Sequence, residues 1–239
     1  MKDVYSATLP AKNGSLRGGS VVIKHKTYPV FYTKGEEIFN AVTHIVGGAF
    51  GLAATIALIV LTINNPVNLA AVTVFGISII ILYTMSALYH FLPNGGAKAV
   101  FRIFDHCTIF ILIAGTYTPY CLIALGGTRL GIAILIVEWA LAIAGIIANA
   151  IAMKSIIVRG ISMVLYVAMG WMIVLSFRLL LAAISPASFW FLLFGGIAYT
   201  VGIVFFAFGK KVKYFHSIWH LFDLLGTALQ FVSILLLVI

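Results

Sequence analysis

The 239-residue chain is 63% hydrophobic and only 9% charged, against roughly 45–50% and about 25% in a soluble domain, which excludes an ordinary soluble enzyme and points to the bilayer. Fifteen Lys and Arg against six Asp and Glu give a net charge of +9. The basic residues occupy an amino-terminal segment and short gaps between apolar runs, so the charge is of the kind that sets membrane topology and predicts no nucleic-acid partner. The only two cysteines, Cys107 and Cys121, share one apolar run; on a helix they stand about 21 Å apart and cannot pair with each other.

Residues 1–35 read as a polar, loosely ordered cytosolic arm carrying Lys2, Lys12, Arg17, Lys24, Lys26 and Lys34, with His25 solvated. The arm lacks the apolar core of a secretory signal. Residues 36–239 form one membrane domain whose punctuation predicts seven spans. The first covers about 40–63 and stops at Asn64-Asn65-Pro66, and the second covers about 69–91 and ends at Pro93-Asn94-Gly95-Gly96. The third, about 99–125, closes at Gly126-Gly127, the fourth is about 130–153, and the fifth, about 160–184, ends near Pro186. The sixth is about 188–209 and the seventh about 214–239. In the first span the Gly47-to-Gly51 spacing predicts close helix packing inside the bundle.

Orientation follows from the Lys and Arg count on each side. One side takes the arm, Lys98, Arg102, Lys154, Arg159, Lys210, Lys211 and Lys213, while the other has Arg129 and Arg178 alone. The amino terminus is therefore expected in the cytosol and the carboxyl terminus outside it.

Ionisable groups within spans are costly and face the bundle interior, so each marks a candidate site. On the seventh span His220, Asp223, Thr227 and Gln230 all fall within about 40° of His216 on a helical wheel. This stripe is expected to line a polar cavity open to the cytosol. His216-Ser-Ile-Trp-His220 sets two imidazoles one turn apart, the spacing by which a helix chelates a transition metal. The second span brings His90 to the same end, with Ser86 one turn earlier, and the third brings Asp105. Three imidazoles are the ligand set of a catalytic zinc with its fourth position open, and a carboxylate nearby can bind or deprotonate the water that fills it. Asp223 and Ser86 suit the orientation of a ligand or of that water. A metal-free reading, in which these groups only hydrogen-bond between helices, stays open.

His106 is expected to point away from Asp105 and to pack. Glu37, Asn40 and His44 share one face of the first span at the same level, and either extend the polar site or complete the start of the span. Glu138 and Asn149 share a face of the fourth span, while Tyr89, Tyr214 and Trp219 read as interface anchors.

Ser86-Ala-Leu-Tyr-His90, Phe104-Asp105-His106 and His216-Ser-Ile-Trp-His220, with Glu36, Asn40, Thr43-His44 and the glycines of the first span, resemble the hemolysin III branch of the progestin and adiponectin receptor family over nearly all of 36–239. The resemblance implies an all-α integral membrane bundle of seven transmembrane helices. It also implies zinc near the cytosolic face on His90, His216 and His220, with Asp105 reaching it through water. In the related adiponectin receptors and alkaline ceramidases the pattern goes with hydrolysis of lipid amides such as ceramide. This chain lacks the long extramembrane regions of the eukaryotic receptors and resembles the compact bacterial members, which implies a multi-pass protein of the bacterial plasma membrane.

The leading expectation is a zinc-dependent hydrolase of an acyl lipid in membrane-lipid homeostasis, with Asp105 as base and Ser86 bonding the developing oxyanion. The alternatives are a receptor-like sensor with structural zinc, and a proton or ion conductor using Glu138 and the polar stripe. The apolar sequence past Gln230 argues against an open pore.

Overall fold

The computed structural model describes residues 32–239, and seven helical stretches among them are long and apolar enough to cross a membrane. The arm as far as Phe31, including His25, lies outside the described residues.

Helix α1 (Lys34–Thr62) opens on a capping box, in which the Thr33 hydroxyl accepts from the Glu36 N–H and the Glu36 carboxylate accepts from the Thr33 N–H at 2.8 Å. The cap, and not the start of the apolar run, decides where this helix begins, six residues before the expected 40. Asn65 does more than end a span: its Oδ1 accepts from the N–H groups of Val67 and Asn68 at 3.1 Å and starts α2 (Pro66–Phe91). Pro66 takes the first helical position, where no N–H is needed. Helix α3 (Gly96–Pro119) continues as a π turn (Tyr120–Ala124), because Pro119 has no N–H for the ladder and the Leu125 N–H closes on Tyr120 O at 2.8 Å. Helix α4 (Arg129–Ala152) follows Gly127, whose φ of 81° favours glycine, and is capped by Thr128.

The fifth span differs from the continuous helix expected. It consists of α5 (Ile156–Gly170), a 3-10 segment (Met172–Ser176) and α6 (Phe177–Ala183). Tyr117 of α3 supplies the reason, since its hydroxyl donates to Gly170 O at 3.0 Å and accepts from the Ile173 N–H at 2.8 Å. Those bonds satisfy backbone groups that the break frees, which lets the chain turn inside an apolar layer. Helix α7 (Pro186–Phe208) is capped by Ser185, and α8 (Phe215–Val238) is the seventh span.

Consecutive spans pack in the order α1 on α2, α2 on α3, α3 on α4 and α7 on α8, and α1 closes against α8. On the α1–α2 seam Gly47 lies against the Tyr83 ring and Gly51 against Ile79, so close that a Cβ at either would collide. The small-residue spacing therefore serves packing within the bundle. Ile45, Val60, Ile151 and Ile156 remain exposed, as side chains facing lipid do.

On α8 the polar stripe, expected to line a polar cavity open to the cytosol, divides into two halves. Thr227 receives the Tyr83 hydroxyl at 2.8 Å and shares a hydrogen bond with Tyr199 at 2.7 Å. Gln230 donates to Leu192 O at 3.1 Å and accepts from Tyr120, and Ser233 exchanges hydrogen bonds with Ser188. From Thr227 onward these groups saturate one another across helices, which makes that half of the stripe a polar seam. Unpartnered atoms remain only in the half from His216 to Asp223.

Candidate metal centre

His90 sits in the last turn of α2, and His216 and His220 sit one turn apart at the start of α8. One nitrogen from each lies within 4.8 Å of the other two, the only such group of three His, Cys, Asp or Glu among the described residues. All three are buried, at 2%, 3% and 1% exposure. His90 Nε2 and His216 Nε2 are 3.3 Å apart. Two nitrogens on a tetrahedral zinc, each at about 2.0–2.1 Å, stand about 3.3–3.4 Å apart, so the His90–His216 pair has the spacing of two ligands of that ion, with a His220 nitrogen within 4.8 Å of both.

Each imidazole has a neighbour from α1 or the residues just before it. Glu37 Oε2 is 2.7 Å from His90 Nδ1. Tyr32 stacks on His216 with ring centroids 4.6 Å apart and planes 18° apart, and His44 lies against His220 at 3.7 Å. Burial pushes the Tyr32 hydroxyl well above the ordinary tyrosine range. Lys98 holds Glu37 in turn: its Nζ is 3.0 Å from Glu37 Oε1 and donates to the carbonyls of Tyr89, His90 and Leu92 at the end of α2.

Asp105 and Ser86 lie beside the triad without joining it. The Asp105 carboxylate is 8% exposed, faces His90 and Ser86, and approaches His106 Nδ1 at 3.3 Å. Ser86 Oγ is buried with no hydrogen-bond partner. His106 thus turns toward Asp105 and not away, while its ring packs on Phe206 and its carbonyl accepts from Tyr166. Asp223 Oδ2 lies 3.9 Å from Nε2 of His44, the ring that packs on His220. Tyr89 and Trp219 are 3% and 7% exposed and belong to the interior, in contrast to the interface role expected; Tyr214 remains exposed. Glu138 is fully buried and lacks a hydrogen bond, far along α4 from these groups, while Asn149 on the same face donates to Ser162.

Two spaces lie in this part of the bundle, and only the second touches a histidine of the triad. A cavity of about 90 Å³ between α3, α5, α7 and α8 is bounded by Tyr117, Trp171, Tyr199, Asp223 and Gln230. An open groove of about 620 Å³ at the α1–α2 end runs along Ile38, Val42, Ile45 and Phe91 to Glu37 and His90. Basic loops surround the same end, where burial and then the neighbouring Arg102 and Arg159 pull the Lys210 amine down to about 8.

Sequence reading named the three histidines together with Glu37 and His44, and missed Tyr32 and Lys98. Tyr32 falls within the stretch read as a loose arm, and Lys98 reads only as topology charge. The spacing of Glu37, Asn40 and His44 on one helical face is the signal that points to α1.

A family model described as haemolysin-III related matches residues 32–231. The chain is 38% identical over 206 residues to the hemolysin-3 homolog of Bacillus subtilis (strain 168), covering 85% of this chain and 95% of that protein. It is 40% identical over 206 residues to hemolysin-3 of Bacillus cereus, covering 85% and 92%. These matches span the helices that carry the histidines, and the chain belongs to the haemolysin III-related family.

Proposed function

We propose that this protein is a zinc-dependent hydrolase of an acyl-lipid amide or ester, working at the cytosolic face of the bacterial plasma membrane in membrane-lipid homeostasis. The observation that carries the reading is a buried group of three imidazoles with a carboxylate and an unpartnered hydroxyl beside it. His90, His216 and His220 would hold the ion. Bound there, zinc supplies Lewis-acid chemistry that acidifies water and polarises a carbonyl. Asp105 takes the proton from the attacking water and returns it to the leaving nitrogen or oxygen. Ser86 donates its hydrogen bond to the carbonyl oxygen as charge develops on it. The groove along Ile38, Val42 and Ile45 gives an acyl chain an apolar path from the bilayer.

The competing reading is a sensor in which zinc only braces α2 against α8, favoured by the near-complete burial of the three histidines. Metal analysis of the purified protein, paired with mass spectrometry of lipid products with and without chelator, separates the two. About one zinc per chain with chelator-sensitive release of a fatty acid supports the hydrolase. Zinc without release from any acyl lipid supports the sensor.

A further inference from the structure

Helix α1 contributes no histidine to the triad, yet every imidazole of the triad is touched by a side chain from α1 or from the residues just before it. His90 meets Glu37 through a 2.7 Å contact, His216 lies under Tyr32, and His220 lies under His44. The three contacts differ in kind. Stacking limits the tilt of a ring and leaves both its nitrogens free. A carboxylate on Nδ1 also decides which nitrogen carries the hydrogen, and so which one presents a lone pair. Among the triad only His90 has such a partner, since the Nδ1 atoms of His216 and His220 are buried without a hydrogen bond.

Resting on the metal-site reading above, we propose that Glu37 is a positioning residue of that site: by accepting from His90 Nδ1–H it directs His90 Nε2 toward the ion. Lys98 completes the device. With one ammonium it meets Glu37 Oε1 at 3.0 Å, and it donates to the carbonyls of Tyr89, His90 and Leu92. A half-buried carboxylate loses part of its hydration. The lysine offsets that loss and also fixes the end of α2 from which His90 projects. The helix that bears no ligand thereby sets the geometry of the helices that do.

The test is zinc affinity, measured by chelator competition on the purified full-length protein, with the melting temperature of the metal-stripped protein beside it. Glu37→Leu should weaken zinc binding by about 10- to 100-fold, the usual effect of losing the partner of a ligating histidine. Glu37→Gln keeps an oxygen acceptor and should fall between Glu37→Leu and wild type. The metal-stripped melting temperature of Glu37→Gln should match wild type, because a packing role alone would move that temperature and leave affinity in place. Wild-type affinity in both variants overturns the assignment, and so does an equal loss in both that tracks a fall in the metal-stripped melting temperature. Should Glu37→Leu fail to fold, Glu37→Gln decides alone: weaker binding at an unchanged melting temperature supports the role, and unchanged binding ends it. A wild type that binds no zinc would end this assignment and the hydrolase together. A wild type that binds zinc but cleaves no lipid would end the hydrolase alone, because positioning is read on affinity.

Discussion

Each residue of the candidate centre has a separable consequence. His220 is one of three donors, so His220→Ala should empty most of the zinc from the purified protein, as metal analysis would show; full retention would remove the site. Asp105 lies beside the triad and outside it. Asp105→Asn keeps shape and a hydrogen-bonding oxygen but accepts no proton, so zinc should stay while lipid turnover falls by about 10²–10⁴-fold. Unchanged turnover would rule Asp105 out as the base. Lys210 gives a pH effect with a definite sign. An amine lowered to about 8 is half neutral near pH 8, where an ordinary lysine near 10.4 is neutral in well under about 1% of molecules. Acetylation of Lys210, followed by peptide mass spectrometry, should rise through a midpoint near 8, while an ordinary midpoint near 10 would contradict the burial and neighbouring arginines that lower it. At this scale the three histidines were legible because a histidine in an apolar span has few other uses. Of their neighbours Glu37 and His44 could be read from one helical face, whereas Tyr32 and Lys98 were hidden, because they belong to residue types that fill arms and loops for ordinary reasons.

At the scale of elements, apolar runs of spanning length and turn formers between them made all seven spans readable. The start of α1 and the break in the fifth span were not. The first depends on a cap made by Thr33 and Glu36, and the second on a hydroxyl delivered by Tyr117 from another helix. Both are specific bonds that hydropathy averages away. The seams between elements carry their own expectations. Gly51→Val would drive a side chain into Ile79, and overpacking of this kind costs about 1–3 kcal/mol. A lower melting temperature in detergent would check it. Tyr83→Phe removes the donor to Thr227 and should cost about 0.6–1.7 kcal/mol, the range for hydrogen bonds between membrane helices.

For the whole molecule, Lys98, Arg102, Lys154, Arg159, Lys210, Lys211 and Lys213 belong to the histidine-bearing end and its loops, whereas Arg129 and Arg178 lie at the other. From this asymmetry we propose an amino terminus in the cytosol. A reporter fused before Met1 should read as cytosolic and one fused after Ile239 as extracytoplasmic. The reverse result would move the metal centre to the outer face.

Tyr214 is the one non-glycine residue with positive φ among the described residues, at 62°, and its N–H donates to Glu36 Oε1 at 2.7 Å. The bond joins residues 178 positions apart. During synthesis α1 with its Thr33 cap is made first, while α8 and two of the three ligands do not yet exist. At about 5–20 residues per second the interval is roughly 10–35 s. Throughout it the nascent protein holds at most His90 of the three histidines. A metal held by all three histidines, as proposed above, is therefore acquired only after the last span has come to rest against the first.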